Sequence, residues 1–299
     1  MRIGLFTGVL SFGATLSEQV AQCVAAEQEG FESIWFTQAM ANDTLTSLAA
    51  GGLATSTIEL GTAVVPLRVP RQPFVLAQQA LTTQAAAGGR LTLGLGPVFP
   101  GTISTSPEQY MREFLAVLRA LAEEGQVDHK GEAFQVAGTL NVPGAQPFPI
   151  MLSALRPVML RVAGELADGT ITWMVGPKTL GSHIVPSINA AAQAASRPSP
   201  RVCAGVPVAV TADVEKAKET VGRLLERYPR SPHYARMLEM EGAAGPADVA
   251  ILGDEAEVER GLRRLGEAGA TEIMACVMPV EEGAETRTRA LLASLVGKI

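Results

Sequence analysis

The sequence predicts an α/β protein, a (β/α)₈ barrel of the TIM type. Eight short apolar runs begin near residues 3, 32, 58, 91, 149, 169, 202 and 272, and almost all are separated by segments of helical period. Eight such repeats in one chain of 299 residues are typical of a barrel. The alternative is an open doubly wound sheet, which usually has a phosphate loop after its first strand. Here that strand is followed by TGVLSFGATLS, which contains no G-x-G-x-x-G.

Composition and charge limit the classes of function. The residues are 47% hydrophobic and the formal charge is −6, so we expect no overall affinity for nucleic acid or an anionic membrane. No uninterrupted apolar run reaches the ~18 residues that a bilayer span needs. The three cysteines are far apart in sequence and form no CxxC pair, which predicts reduced, buried thiols in a cytoplasmic protein. We expect a single domain over residues 1–299.

The first four strands and their helices follow in order. Residues 3–7 form an apolar run that is too short for a signal peptide and is interpreted as a strand. Helix 16–30 has apolar residues at helical spacing, strand 32–37 is apolar, and helix 44–55 is rich in alanine and leucine. Segment 58–97 is a complete strand–helix–strand unit, whose strands end in small residues or proline.

The second half repeats this pattern with insertions. Helix 107–124 is amphipathic, and the excursion after it predicts a hairpin around Lys130-Gly131. Further strands are expected at 149–153, 169–174, 202–210 and 272–278, with helices at 157–167, 180–196, 214–227, 255–269 and 285–296. Segment 228–248 mixes proline, glycine and polar residues with short helical patches. We interpret some of the insertions at 97–107, 127–148 and 228–250 as lids over the barrel mouth.

Catalytic groups of a barrel lie at the C-terminal ends of its strands. The predicted ends carry small, apolar and hydroxyl side chains and hold no lysine, histidine or carboxylate. A Schiff-base aldolase would lack its nucleophile there, and a metal-dependent hydrolase would lack its ligands, so no metal site is expected. The histidines are expected in a turn (His129), near a helix start (His183) and in an irregular segment (His233). Such a rim indicates that the reactive group of an enzyme would belong to a flat cofactor.

One anion site is predicted where the fifth strand runs into its helix. Ser153-Ala154-Leu155-Arg156 precedes a proline that suits the first helical position. Free backbone N–H groups, the helix dipole and the Arg156 guanidinium are together suited to a phosphate. Ordinary helix capping is the alternative interpretation.

Several segments are similar to one known family over most of the chain and in the same order. They read AAEQEGFESIWFTQ, IELGTAVVPLRVPRQPFVLAQQALTTQAAAGGRLTLGLGP, MREFLAVLRALAEEGQVDHKGEAFQV, MLSALRPVMLRVAGELADGTITWMVGP and GDEAEVERGLRRLGEAGATEIMA. The chain resembles the luciferase-like monooxygenase superfamily, and within it the oxidoreductases that use the deazaflavin coenzyme F420.

The resemblance implies a luciferase-like barrel with a flavin or deazaflavin ring across the strand ends. A bulge with a cis peptide that does not involve proline is implied at Ala63-Val64, behind the ring. The cofactor phosphate is implied to lie against Ser153–Arg156 and near Trp173–Gly176, and homodimerisation is the habit of the family. The cofactor-binding residues predicted in this way and from the strand ends are Thr7, Ala63, Val64, Gly96, Ser153, Ala154, Leu155, Arg156, Trp173, Met174, Val175 and Gly176.

Two departures from the family pattern affect the predicted chemistry. Gln38 and Ala39 stand where many relatives carry an acid–His pair, and the loop after Gly96 is short. An amide donates and accepts hydrogen bonds but does not exchange a proton near neutral pH. The catalytic positions are therefore assigned to Gln38 and Thr37 as groups that orient the ring or the substrate.

Three hypotheses about function remain open at this point. The first is an F420-dependent oxidoreductase that delivers a hydride to a C=C, C=N or C=O bond of a small organic substrate. The second keeps the fold and uses FMN in a luciferase-like monooxygenase. The third is a non-catalytic relative that binds a flavin-like ligand, and it is motivated by the missing histidine and the short loop.

Overall fold

A computed structural model describes residues 1–8, 13–38, 41–67, 71–96 and 103–299 of the chain. Eight parallel strands form a closed barrel in the order β11-β1-β2-β3-β4-β7-β8-β9, and β9 also pairs with β11 to complete the circle. The barrel strands are β1 Arg2–Phe6, β2 Ser33–Phe36, β3 Glu59–Thr62, β4 Leu91–Leu95, β7 Ile150–Ser153, β8 Gly169–Trp173, β9 Arg201–Val210 and β11 Glu272–Val277. The predicted (β/α)₈ fold is confirmed.

Helices cover the outside of the barrel. Their apolar faces pack on the outward side chains of the strands, such as Ile3, Leu60 and Leu93, which form the larger of two hydrophobic cores. The helices are α1 Leu16–Gln28, α2 Thr44–Ala54, α3 Pro73–Ala86, α4 Pro107–Arg119, α5 Pro157–Leu166, α6 Pro177–Thr179, α7 Val185–Ala194, α8 Val214–Leu224, α9 Pro232–Glu241, α10 Glu255–Glu267 and α11 Ala284–Leu295.

The N-terminal end of the barrel interior is filled by a charge network. Glu272, which is fully buried, accepts hydrogen bonds from the Arg201 guanidinium (2.6 Å), the Ser33 hydroxyl (2.5 Å) and the Trp35 indole (2.9 Å). Glu59 pairs with Arg2 (2.5 Å) and Arg201 (2.9 Å) and accepts from Thr92. We call this set of seven residues the floor network: Arg2, Ser33, Trp35, Glu59, Thr92, Arg201 and Glu272.

Several charged residues in the segments that resemble the family bind backbone groups of neighbouring elements, away from the barrel mouth. The Glu27 carboxylate accepts three backbone N–H bonds from residues 56–58 ahead of β3. Arg90 donates to the carbonyls of Gly52, Thr55 and Ile58. Asp168 accepts from the Ile150 N–H at 2.8 Å and is paired with Arg119 and Arg197. Glu27, Arg90 and Asp168 therefore have structural roles in holding neighbouring elements of the barrel together.

The insertions differ in part from the sequence predictions. The predicted hairpin is confirmed, with β5 (Gln126–Lys130) antiparallel to β6 (Gln135–Thr139). The chain after α4 and after α6 winds into π-helical turns, Ala120–Glu124 and Leu180–Ile184. A short strand, β10 Ile251–Gly253, pairs with β9 and was not predicted, because three residues carry too little pattern. Residues 97–102 of one proposed lid lie outside the described residues.

Candidate active site

The bulge after β3 brings together four of the predicted site residues. The Ala63–Val64 peptide bond is cis, as expected from the resemblance. The Thr37 hydroxyl donates to the Ala63 carbonyl at 2.7 Å, and the Gln38 N–H donates to the Val64 carbonyl at 3.4 Å. The end of β2 is thus fastened to the bulge of β3, and the half-buried Val64 side chain lies between them and the end of β4.

Gly96, directly after β4, packs against the bulge that follows β3. Its N–H donates to the Val65 carbonyl at 2.8 Å, and Val65 N–H in turn donates to the Gly94 carbonyl. A Cβ at position 96 would lie 2.7 Å from Val64 Cγ2 and 3.1 Å from Pro66 Cα, so only glycine fits without a shift of the bulge. We call Thr37, Gln38, Ala63, Val64 and Gly96 the ring wall.

The side chain of Gln38 carries an unsatisfied polar atom. Its Oε1 is buried and has no hydrogen-bond partner among the residues that the structure describes. A buried acceptor without a partner costs about 1–3 kcal/mol, so such atoms in proteins commonly face a ligand or water. Ala39, the next position of the missing acid–His pair, lies outside the described residues.

The segment from Ser153 to Arg156 leads into α5 as predicted. Arg156 is the N-cap residue of α5, makes no side-chain cap bond, and is followed by a proline in the first turn. The Arg156 side chain is exposed and has no ion pair within the described part of the chain. His183 Nε2 lies within hydrogen-bond distance of the Leu155 carbonyl, at 3.0 Å, so this histidine helps to fix the segment in place.

The end of β8 is built around an aromatic cluster. The Trp173 ring lies edge-on to Phe6 (5.2 Å between centroids) and to Tyr228 (6.2 Å), and Tyr228 lies edge-on to Tyr234 (5.1 Å). Trp173 Nε1 is buried and makes no hydrogen bond of good geometry within the described residues, but it lies close enough to the Tyr228 phenol to lower the pKa of that phenol. Burial raises the pKa of Tyr228, and Arg227 partly opposes that rise.

Beyond Trp173 the backbone turns sharply. Met174 is fully buried and adopts the left-handed conformation with φ of 54°, which is uncommon for a residue other than glycine. Its N–H donates to the Gly205 carbonyl of the neighbouring strand at 3.0 Å. Val175 is buried, and Gly176 lies directly under the side chain of Glu241.

Thr7 is the predicted site residue that is placed apart from the others. Its hydroxyl donates to the Trp35 carbonyl at 3.3 Å. Together with Leu5 and Ile34 it lines a cavity of about 360 Å³ between the barrel and helices α1 and α11. Its side chain therefore lies on the outer side of β1, and its assignment to the cofactor stays a prediction.

The histidines and cysteines occupy structural positions. His129 lies in β5, and not in a turn, because the turn of the hairpin begins two residues later; its Nε2 is 3.2 Å from Glu113. His183 lies in the π-helical turn before α7, and His233 lies in α9 rather than in an irregular segment. The three cysteines are free and buried as predicted, and burial raises the pKa of the Cys276 thiol to about 12.

The geometry fits a flat, polar-edged ring at the mouth. The ring wall and the β7–β8 ends lie on five neighbouring strands, in the order β2-β3-β4-β7-β8. The buried Gln38 Oε1 there has no hydrogen-bond partner among the residues that the structure describes, and Gly96 leaves no side chain in the way. The sequence did not reveal Glu241, because nothing in a helical carboxylate signals that it accepts a hydrogen bond from the Lys178 N–H in α6, 63 residues away.

Comparison with known proteins identifies the class. The family model described as luciferase-like monooxygenase matches residues 1–278, so the chain belongs to the luciferase-like monooxygenase family. The matches to the first curated relatives span only 58% and 61% of the length of those proteins. Among the residues described, no helix is both long enough and apolar enough to cross a membrane.

Three known proteins show what this chain is similar to within that family and fold. A protein of Mycobacterium tuberculosis, provisionally named a coenzyme F420-dependent oxidoreductase, is 30% identical over 205 residues, which cover 61% of this chain and 58% of that protein. An F420-dependent secondary alcohol dehydrogenase structure superposes with a TM-score of 0.80 at 18% identity, covering 99% of this chain and 98% of that one. An FMN complex of a 3,6-diketocamphane monooxygenase component from Pseudomonas putida gives a TM-score of 0.78 at 17% identity, covering 100% and 99%.

Proposed function

We propose that the chain is an F420-dependent oxidoreductase that reduces a C=C, C=N or C=O bond of a small organic substrate. When bound, the reduced deazaflavin supplies the hydride from its C5 atom. The observation that carries the proposal is the ring wall, in which Gly96 leaves no side chain and the buried Gln38 Oε1 has no partner among the described residues. The relatives named for F420 support the choice of cofactor.

The residues of the chain would act by orientation and exclusion of water. Thr37 is fixed by its bond to the Ala63 carbonyl, and Gln38 offers an amide oxygen and amide N–H to the ring or the substrate. No side chain of the ring wall titrates near neutral pH, so a proton would come from solvent or from the substrate. Ser153, Ala154, Leu155 and Arg156 would hold the phosphate, with Trp173, Met174, Val175 and Gly176 beside the ribityl chain.

The test is a binding titration followed by intrinsic fluorescence. Trp173 lies at the mouth and Trp35 in the floor network, so quenching of Trp173 reports on the proposed site. We expect saturable binding of F420, weakened at least tenfold by Gly96→Leu, because that side chain would enter the wall. Gly222→Ala is the control, since a Cβ there meets nothing within 4 Å. Absence of binding of both oxidised and reduced F420 would overturn the proposal.

FMN is the second candidate cofactor, favoured by the FMN-bound neighbour of the same fold. A protein that is purified yellow, or that binds FMN more tightly than F420, would move the assignment to a monooxygenase. A non-catalytic role is the third candidate, and turnover of any substrate with reduced cofactor would exclude it. Gln38→His then tests whether the missing proton carrier limits the reaction.

We also propose that the protein is a homodimer through α2 and α3. Neither helix contains a charged residue, and both expose large apolar side chains: Leu53 is 79% and Val75 is 50% exposed. Light scattering after gel filtration should give a dimer, and Leu53→Glu should give a monomer. Leu224→Glu, on α8, is the matched control and should stay dimeric. A monomeric unsubstituted chain would contradict this proposal.

A further inference from the structure

The cavity of about 360 Å³ that Thr7 lines lies outside the barrel, between the strands β1 and β11 and the helices α1 and α11. Its floor is apolar and includes the buried residues Leu5, Ile34 and Ala275. Packed protein interiors leave few voids larger than a water molecule, whereas roughly 300–1,000 Å³ is typical of a small-molecule site. The cavity is therefore large enough for a ligand, and it is separate from the ring wall.

The side chains that α1 and α11 place beside this cavity leave it open. Ala21 and Ala25, one turn apart on α1, contribute only methyl groups to the surface groove that continues the cavity outward. Arg289 of α11 is held to one side, because it donates to Glu29 at 2.9 and 2.8 Å. Its guanidinium carbon also lies 5.9 Å from the centre of the Phe31 ring. The two helices are thus joined at the end of α1, and the space beside the alanines stays unfilled.

Gln22 of α1 lines both the cavity and the groove. Its Oε1 is buried and has no hydrogen-bond partner in the ranges of the chain that the structure describes. A buried acceptor without a partner is unfavourable, so such atoms commonly meet water or a ligand. Gln22 therefore places one hydrogen-bond acceptor beside an apolar floor.

The charges around the groove disfavour an anion. The positive charge of Arg289 is already compensated by Glu29, at 2.8 Å. Glu18 and Glu285 also line the groove, and neither forms an ion pair within the described part of the chain. A carboxylate or phosphate that entered would approach two like charges, whereas a neutral or cationic molecule would not be repelled.

We propose that this cavity is a binding site for a small, flat aromatic molecule that is neutral or cationic and donates one hydrogen bond to Gln22 Oε1. A rigid ring covers an apolar floor with little loss of conformational freedom, and one N–H or O–H group satisfies the amide oxygen. The inference does not depend on the cofactor at the mouth.

Indole and 1-methylindole test the hydrogen bond, because only indole has an N–H group. Calorimetry should show indole binding to the unsubstituted chain with a dissociation constant on the order of 1 mM or lower, and 1-methylindole binding about three- to tenfold more weakly. Gln22→Leu should bind the two compounds within about twofold of each other, since the acceptor is gone. Gln28→Leu, at an exposed position of the same helix, should behave like the unsubstituted chain.

A second pair of variants tests the location. Val277 lines the cavity from β11, so the larger ring of Val277→Phe should occupy it and weaken both compounds at least about tenfold. Val158→Phe, on the exposed face of α5, is the matched control and should leave both affinities unchanged. Circular dichroism shows whether each variant is folded.

Charge selectivity is measured on the unsubstituted chain with two indole derivatives. Tryptamine, a cation at neutral pH, should bind more tightly than the anion indole-3-acetate, and the reverse order would overturn the charge argument. Absence of saturable indole binding, or equal affinities for indole and 1-methylindole, overturns the proposed site. Indole binding that Gln38→Leu weakens and Gln22→Leu leaves unchanged would also overturn it, because the compound would then lie at the ring wall.

Discussion

The two ends of the barrel interior differ in how far their buried polar groups are paired. At the N-terminal end, the floor network pairs two arginines with two carboxylates and gives the buried Glu272 oxygens partners at 2.5 to 3.4 Å. At the C-terminal end, Gln38 Oε1 is buried and has no partner within the described part of the chain. The floor network satisfies its own polar groups, whereas the mouth keeps an unpaired acceptor, which is what we expect of the end of a barrel that binds another molecule.

Removal of Glu272 should give the largest effect and would test the floor directly. Glu272→Ala leaves the Arg2 and Arg201 guanidinium groups with less compensation inside the barrel. We expect a loss of about 3–5 kcal/mol in the free energy of unfolding, measured by urea denaturation. Glu215→Ala removes an exposed partner of Lys218 and should change stability by less than about 1 kcal/mol. Similar losses of stability in the two variants would show that the floor network contributes no more than an exposed ion pair does.

Acid should weaken the floor before it affects the mouth. Burial alone would raise the pKa of Glu59, but Arg201 and Arg2 outweigh it and hold the pKa below the ordinary value of 4.5. A lowered folded-state pKa adds stability above pH 4.5, and that stability is lost as the pH falls through the folded-state value. Urea midpoints should therefore decline below about pH 4.5, and Glu59→Gln should flatten the decline. Parallel pH curves for both proteins would contradict this prediction.

A methyl group added inside the barrel should have an intermediate effect. A Cβ at Gly61 would lie 2.1 Å from Trp35 Cε3, whose indole belongs to the floor network. Gly61→Ala should therefore cost about 1–3 kcal/mol of stability by overpacking, without a direct effect on a ligand at the mouth. Thermal unfolding and the F420 titration, made on the same sample, separate the two effects. A variant that keeps its stability but loses F420 binding would show that Gly61 belongs to the ligand site and not to the packing of the barrel interior.

Replacement of Gln38 should give the smallest change in stability and a clear change in binding. Gln38→Leu removes an unpartnered buried oxygen, so the free energy of unfolding should change by less than about 1 kcal/mol. F420 binding should weaken about tenfold or more if the amide meets the ring. Unchanged affinity, measured by the Trp173 fluorescence titration, would show that Gln38 does not contact the cofactor.

The sequence predicts the elements that follow a repeating pattern, but it does not predict contacts that are made once between distant residues. The eight strands and the hairpin followed from apolar periodicity, and the cis bond at Ala63–Val64 followed from the resemblance. The pairing of Glu59 and Glu272 with Arg201 joins strand starts up to 213 residues apart along the chain, and no local pattern encodes it. The Glu241 contact and the outward side of Thr7 likewise depend on tertiary placement.

Closure of the barrel also has a consequence for biosynthesis. β1 pairs with β2 on one side and with β11 on the other, so its second edge stays open until residues 272–277 have left the ribosome. The same segment delivers Glu272, and until then Arg201 lacks one of its two carboxylate partners and Arg2 lacks one of its three. A nascent chain that pauses before this strand exposes both an unpaired strand edge and uncompensated charge, which makes it a natural substrate for chaperones.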